Sequence, residues 1–229
     1  MKALVDADIL TYQIGYGSED DEESHAIVTL DGFIYDLMLF DLPDVFEWEF
    51  YLTGKDKKHP NFRNKIAVTQ PYKGNRKNSK PPQHMQALRS RLIDFWQAKV
   101  SVGEEADDLL SKRMTELGDE CICVSIDKDL DTVPGWHYNF RKEHRYYVDA
   151  DEAMYNFYTQ LLTGDRVDNI RGVDNVGPVK AAKLLEGAKT AKEMWDICVE
   201  AHGSVERAIE DGQLLHMRRY KDELWQPPK

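Results

Sequence analysis

The sequence predicts an α/β fold with an all-helical C-terminal third. Over residues 1–149, short apolar runs alternate with amphipathic segments of helical period, which is the pattern of a sheet covered by helices. After residue 149 the apolar residues recur only at helical spacing. The 229 residues suffice for one large domain, or for a domain with a smaller helical appendage. We therefore predict an α/β unit over 1–149 and a helical unit over 150–229.

The α/β unit is justified element by element. Short apolar runs predict strands, apolar residues three and four apart predict helices, and the turn residues Asp31-Gly32 between apolar runs predict a hairpin. The order is a strand over 2–5, a helix over 8–16, an exposed acidic loop over 18–23, a hairpin over 26–39, an ambiguous helix or strand over 44–52, helices over 83–99 and 104–118, and strands over 120–126, 136–140 and 144–148.

The helical unit begins with an apolar stripe that runs from Met154 to Leu162. Further helices are predicted over 178–187, 190–201, 203–211 and 213–224. No internal repeat is evident.

Composition excludes several classes of protein. With 41% hydrophobic and 31% charged residues the chain is not disordered, and no apolar run approaches the 18 residues of a membrane span. The start MKALVDADIL carries two acids and no small-residue cleavage site, so no signal peptide is expected. Cys121, Cys123 and Cys198 form an odd set without metal-ligand spacing and are interpreted as reduced core residues. We expect a cytoplasmic protein without a zinc site or a membrane partner.

The charge is unevenly distributed. The basic segment, defined as residues 55–80, holds nine Lys or Arg and one Asp, a local charge of +8. The net charge is −11, so the remaining residues carry −19. A basic island in an acidic chain indicates a polyanionic partner, although a solvated surface loop is the alternative.

Acidic residues cluster where strands and helices end. Asp6 ends the first strand, Glu105 and Asp108 are three apart in the first turn of a helix, and Asp127 and Asp129 follow the strand CICVSI. Asp165 and Asp168 follow the helix that ends in LLTGD. Carboxyl ends of parallel strands meet in one crevice, where so many carboxylates would repel one another without cations. Oxygen ligands alone suit Mg²⁺ or Mn²⁺, but each cluster taken singly also suits a helix start or a polar turn.

The order of these motifs resembles that of the 5′-nuclease (flap endonuclease) family. VDAD, FR, YKGNR, EADD, SIDKDLDT and GDRVDNIRGVDNVGPVKAAKLL follow one another over residues 3–186. Relatives in that family include the 5′→3′ exonuclease domain of bacterial DNA polymerase I and stand-alone bacteriophage exonucleases. The compact length is closer to the bacteriophage enzymes.

The resemblance implies a fold and a reaction. The fold would be PIN-like, with a mostly parallel sheet, a helical arch over about 73–102 and a helix–three-turn–helix over about 165–187. The reaction would be hydrolysis of phosphodiesters near the 5′ end of DNA, by exonuclease or flap endonuclease cleavage. Two Mg²⁺ ions, replaceable by Mn²⁺, would activate water and stabilise the leaving oxygen.

The resemblance also assigns residues. The metal ligands would be Asp6, Glu105, Asp107, Asp108, Asp127, Asp129, Asp165 and Asp168. Lys73 and Arg76 would act on the scissile phosphate, with Arg63 in support, and Tyr72 would stack on the terminal base. Gly172, Gly177, Lys180 and Lys183 would bind duplex DNA at the helix–three-turn–helix, which in relatives also holds K⁺.

Three departures qualify the resemblance. The family has an acid at a strand end where this chain has Thr53, so that either one ligand or supporting group is missing or the nearby Asp56 replaces it. Asp8 is left out of the ligand set because it stands where the family has a non-acidic residue. Val179 replaces a common Lys, and the arch region is short. We expect a monomer that acts on DNA 5′ ends or flaps, with RNA–DNA hybrids left open. A PIN-like ribonuclease and a catalytically weak DNA-binding module are the alternatives.

Overall fold

A six-stranded sheet forms the centre of the molecule. The computed structural model describes residues 1–229, except for the side chains of Lys77 and Asn78. The strands are β1 (Lys2–Asp6), β2 (Glu47–Leu52), β3 (Lys99–Val100), β4 (Cys121–Val124), β5 (Gly135–Asn139) and β6 (His144–Val148). Their order is β3-β2-β1-β4-β5-β6, parallel throughout except for the antiparallel pair β5–β6. The predicted, mostly parallel α/β sheet is therefore confirmed.

Helices cover both faces of the sheet and form the C-terminal third. They are α1 (Ala7–Gly17), α2 (Glu23–Asp36), α3 (Arg63–Ile66), α4 (Met85–Asp94), α5 (Ala106–Leu117), α6 (Ala150–Thr163), α7 (Pro178–Leu184), α8 (Ala191–His202) and α9 (Val205–Leu215). Within the described chain, no helix has both the length and the apolar character needed to cross a bilayer.

The strands divide their side chains between two cores. Ala3 and Val5 of β1 pack with α1, α2 and α4, whereas Leu4 packs with α5 on the opposite face. Cys121 and Cys123 share that second core, as the two-residue repeat of a strand requires. Helices α6 to α9 enclose a third core of their own.

Two sequence-based expectations about elements are wrong. The hairpin predicted over 26–39 is helix α2, followed by a π-helical turn over Leu37–Asp41. Its buried residues Ala26, Leu30 and Ile34 are spaced by four, and this helical repeat outweighs the local turn preference of Asp31-Gly32. The helices predicted over 203–211 and 213–224 are one helix, α9, and the chain after Leu215 is not helical. The ambiguous segment 44–52 contains strand β2.

The region predicted as an arch, 73–102, has two parts. Its first part contains a short 3₁₀ turn over Gly74–Asn78, which lies beside the carboxyl ends of the strands. Its second part is α4, whose Leu88 and Leu92 are completely buried in the first core. Most of the predicted arch is therefore part of the α/β layers.

Candidate active site

The carboxyl ends of β1 and β4 open into an acidic cleft. The chain order of the sheet reverses at these two adjacent strands, and such a reversal leaves a crevice beyond the strand ends. The cleft has a volume of about 720 Å³. The carboxylates that line it are those of Asp6, Asp8, Glu105, Asp107, Asp127, Asp129, Asp165 and Asp168. Seven of the eight predicted metal ligands are thus brought together, with Asp8 in addition.

Ser125 joins the two strand ends. Its hydroxyl donates to Asp6 Oδ2 at 3.0 Å and accepts the Asp127 N–H at 3.0 Å. Asp127 Oδ1 in turn accepts the Asp129 N–H at 2.9 Å and starts the 3₁₀ turn over Lys128–Thr132. The DKD segment is therefore a shaped turn whose carboxylates reach the cleft from the end of β4.

A tight loop carries Asp165 and Asp168 to the same cleft. Asp165 and Ile170 exchange two backbone hydrogen bonds of 2.8 and 2.7 Å, which close the loop. Gly164 and Gly172 both have positive φ, and a Cβ on Gly172 would lie 2.3 Å from the Gly164 nitrogen. Gly172 is buried in this contact and therefore shapes the loop. The prediction that it contacts DNA directly is corrected accordingly.

Lys73 and Arg76 form ion pairs with the carboxylates. Lys73 binds Glu105 and lies 3.5 Å from Asp168 Oδ2, and Arg76 binds Asp168 Oδ1 at 2.6 Å. Burial lowers the pKa of Lys73, but Glu105 and Asp168 outweigh it and raise that pKa overall. Both cations therefore lie among the clustered acids and offset part of their negative charge.

The expectation that Tyr72 stacks on a base is wrong in this arrangement. Its ring is 8% exposed and packs in the C-terminal core. The hydroxyl lies 2.8 Å from Glu105 Oε2 and 2.7 Å from Asp168 Oδ2, so Tyr72 ties the two acids together. An exposed aromatic does line the cleft, namely Tyr12 of α1, which the sequence analysis missed because helical spacing alone does not show which face is open.

Two further assignments are corrected by one buried ion pair. Arg63 donates to both oxygens of Asp108, at 2.6 and 2.9 Å, and both side chains are almost completely buried. Asp108 also accepts the backbone N–H groups of Glu105 and Arg218. Arg63 cannot bind phosphate from this position, and Asp108 has no oxygen left for a metal. Three cations of the basic segment, Arg63, Lys73 and Arg76, therefore form ion pairs with carboxylates of the same chain.

Asp107, the neighbour of Asp108, points into the cleft instead. Burial raises its pKa well above the ordinary value, and the charges of Asp6 and Asp127 add to the effect. Burial likewise raises the pKa of Asp6 to about 7, with contributions from Asp8 and Asp127. It raises the pKa of Asp129 to about 7 and also raises that of Asp127, in both cases with contributions from neighbouring carboxylates.

These raised pKa values predict how stability depends on pH. Between their ordinary value of 3.8 and about 7, the native acids keep protons that the unfolded chain has lost. Stability without divalent cations should therefore fall as pH rises through this window. The lowered pKa values of His137 and His216 act oppositely, but only below 6.5. We expect the melting temperature in EDTA to fall from about pH 6.5 to about pH 8, and Mg²⁺ to raise it most at the higher pH.

Calorimetry or fluorescence melting checks this result, with Asp107→Asn as the comparison variant. Removing one crowded carboxylate should flatten the fall. A melting temperature that rises with pH in EDTA would contradict the repulsion inferred for the cleft.

The donor set fits divalent cations by its chemistry. Crowded carboxylate oxygens without His or Cys suit hard cations such as Mg²⁺ and Mn²⁺. Among the described side chains no three already converge as a closed metal cage. Lys73 and Arg76 stand between them, so these acids already take positive charge from the chain itself.

Of the two alternatives at the strand end, replacement of the missing acid by Asp56 is not supported. Asp56 is exposed and binds His59 at 2.7 Å outside the cleft lining. Thr53 and Asp8 line the cleft instead, and the Asp8 carboxylate accepts the Thr53 N–H at 2.8 Å.

The region predicted as a helix–three-turn–helix, about 165–187, contains a loop of turns followed by α7, and α6 ends just before it at Thr163. Gly177 precedes α7, and Lys180 and Lys183 are exposed on it. The cleft lining includes Gly177 and Pro178, so this corner adjoins the acids.

Comparison with known proteins adds independent findings. No protein-family model matches the sequence. The curated flap endonuclease Xni of Colwellia psychrerythraea is 32% identical over 156 residues, which are 58% of this chain and 51% of that protein. The chain thus spans about half the length of the curated relative it matches.

Solved structures share the fold at low sequence identity. The bacteriophage T5 5′-exonuclease with bound zinc superposes with a TM-score of 0.69 at 17% identity, over 94% of this chain and 89% of that one. The T5 D15 protein co-crystallised with metal ions gives 0.67 at 18%, over 93% and 88%. The catalytic core of Rad2 in complex with DNA substrate gives 0.54 at 15%, over 85% and 62%. The chain is thus similar in sequence to a curated flap endonuclease over part of its length, and it shares its fold with the T5 5′-exonuclease and the Rad2 catalytic core.

Proposed function

We propose that the protein is a divalent-metal-dependent 5′ nuclease that hydrolyses phosphodiesters near the 5′ end of DNA, as an exonuclease or a flap endonuclease. The observation that carries this proposal is the convergence of seven predicted acids with Lys73 and Arg76 in one cleft. The relatives support it: Xni is named a flap endonuclease, T5 5′-exonuclease has been solved with divalent metal ions, and Rad2 with DNA substrate.

The proposed metal site contains Asp6, Glu105, Asp107, Asp127, Asp129, Asp165 and Asp168. Divalent cations held there, Mg²⁺ or Mn²⁺, would supply the charge that activates water and stabilises the leaving oxygen. Bound cations would also neutralise Glu105 and Asp168, which would free Lys73 and Arg76 from their ion pairs. Both side chains already face the cleft and would then hold the scissile phosphate.

The proposed DNA path continues from the cleft to the start of α7. Lys180 and Lys183 are exposed there and would contact duplex phosphates without reading sequence. We propose that residues 1–149, together with Asp165 and Asp168, carry the chemistry, and that α7 in the helical unit 150–229 grips the duplex. The same proposal includes K⁺ binding at the α6–α7 loop, action on RNA–DNA hybrids and a monomeric state.

The test is cleavage of a duplex with a labelled 5′ flap. We expect products near the junction in Mg²⁺ or Mn²⁺ and none in EDTA. A matched duplex with a blocked 5′ end shows whether a free end is required, and a single-stranded RNA serves as the competing substrate. Preference for that RNA would favour a PIN-like ribonuclease. Tight flap binding without cleavage in either metal would favour a binding module.

Replacing Lys73 by alanine should slow cleavage far more than it weakens DNA binding. The ammonium acts on charge that develops in the transition state, and loss of such a group costs about 10²–10³ in kcat. Single-turnover rates and flap affinity measured in Ca²⁺ separate the two effects. Lys65→Ala, an exposed lysine of the same basic segment, is the matched control. Equal losses in rate and affinity at Lys73 would make it a phosphate anchor only.

A further inference from the structure

A carboxylate stands at the end of β2 although that strand ends in no acid. Strand β2 lies beside β1 in parallel, and Thr53 follows its last residue. Asp8, in the first turn of α1, reaches across from β1, and its Oδ2 accepts the Thr53 N–H at 2.8 Å. The position that a strand-end acid would occupy is thus supplied from the neighbouring element.

Arg89 of α4 completes the contact. It donates to Asp8 Oδ1 at 2.9 Å and to the Thr53 carbonyl at 2.7 Å. The ion pair therefore holds both backbone polar groups of Thr53, and Arg89 itself is buried at 6% exposure. Three elements, α1, α4 and the end of β2, meet at this point in the wall of the cleft.

Thr53 connects the Asp8–Arg89 ion pair to the start of α5. Its hydroxyl accepts the Ala106 N–H at 2.9 Å, at the first residue of that helix. Glu105 and Asp107 flank Ala106, and both line the cleft. The position of these two acids relative to Asp6 therefore depends on Thr53, and through it on Asp8 and Arg89.

We propose that Asp8 and Arg89 form a positioning pair which takes the place of the acid missing from the end of β2. The pair holds Thr53, and through it the start of α5, where Glu105 and Asp107 face the cleft. This inference rests on the proposed function, because it assumes a divalent site among these acids.

The experiment measures Mn²⁺ binding by calorimetry without DNA, so that its readout is independent of cleavage. Asp8→Asn keeps the side-chain shape but loses the charge, and we expect an affinity about 10-fold weaker, as for groups that orient metal ligands. The double variant Asp8→Ser with Thr53→Asp moves the carboxylate back to β2 and should restore most of that loss. Asp94→Asn, at the exposed end of α4, is the matched control and should bind Mn²⁺ normally.

Melting temperatures show which variants are folded. If Asp8→Asn does not fold, Arg89→Lys serves instead, since it keeps the ion pair with Asp8 but loses one bond to Thr53, and it should also weaken Mn²⁺ binding. Wild-type Mn²⁺ affinity in a folded Asp8→Asn protein would overturn the proposal, as would a folded double variant without restored binding. If the unaltered protein bound no Mn²⁺, both the proposed function and this inference would fail. Normal flap cleavage by Asp8→Asn would overturn this inference alone.

Discussion

Asp165→Asn combined with Asp168→Asn should abolish cleavage while the fold remains intact. Both acids face the cleft from one tight loop, whose backbone bonds between Asp165 and Ile170 remain in the variant. An asparagine at position 165 can still accept the Val167 N–H that Asp165 Oδ1 accepts at 2.7 Å. The double variant removes two charges from the proposed metal site, so we expect a loss of at least about 10³ in kcat. Flap cleavage, Mn²⁺ binding and the far-UV spectrum measure activity, metal and fold separately.

The matched control lies in the same loop region. Asp174→Asn removes an exposed acid that binds Arg171 outside the cleft lining, so it should cleave like the wild type. Full activity in the double variant would remove Asp165 and Asp168 from the proposed metal site.

Asp108→Asn should destabilise the protein by about 3–5 kcal/mol, the usual cost of leaving a buried charge without its partner. Burial alone would raise the pKa of Asp108, but Arg63 outweighs it and holds that pKa below its ordinary value, so the native residue is ionised. An asparagine keeps only one acceptor oxygen, so the buried guanidinium of Arg63 loses its charged partner and one of its two hydrogen bonds to residue 108. Urea unfolding monitored by fluorescence measures the change.

Asp107→Asn, one residue away, should do the opposite. Removing one of several repelling carboxylates should leave stability unchanged or higher in EDTA, while Mn²⁺ binding and cleavage are lost. The two adjacent substitutions thus separate folding from chemistry. Equal destabilisation by both would contradict the different burial of the two side chains.

The order of strands and helices could be predicted because each depends on local periodicity. The apolar run CICVSI predicts a strand, and the apolar stripe over 154–162 predicts a helix. Both signals are short-range, and both elements are present. The failures arose where two local signals compete. Asp31-Gly32 favours a turn, but packing of Leu30 and Ile34 against the sheet keeps the segment helical.

Seven of the eight carboxylates that line the cleft could be named from their order along the chain, but Asp8 was left out and Asp108 was included although it lies outside the cleft. In EADD, the one-residue step from Asp107 to Asp108 turns the side chain by about 100° around α5. One acid therefore faces the cleft and the other faces Arg63, which comes from a segment 45 residues away. No local pattern shows which orientation occurs.

By itself, the sequence determined the α/β class, the helical C-terminal third and the acids gathered at the strand ends, since each follows from residue type and spacing. Only the tertiary structure decided that Arg63 is paired with Asp108, that Tyr72 is buried, and that Asp8 lies at the end of β2. Those outcomes depend on which charges meet when distant segments pack together. The free energy of a buried charge is set by its partners in space, not by its neighbours in the chain.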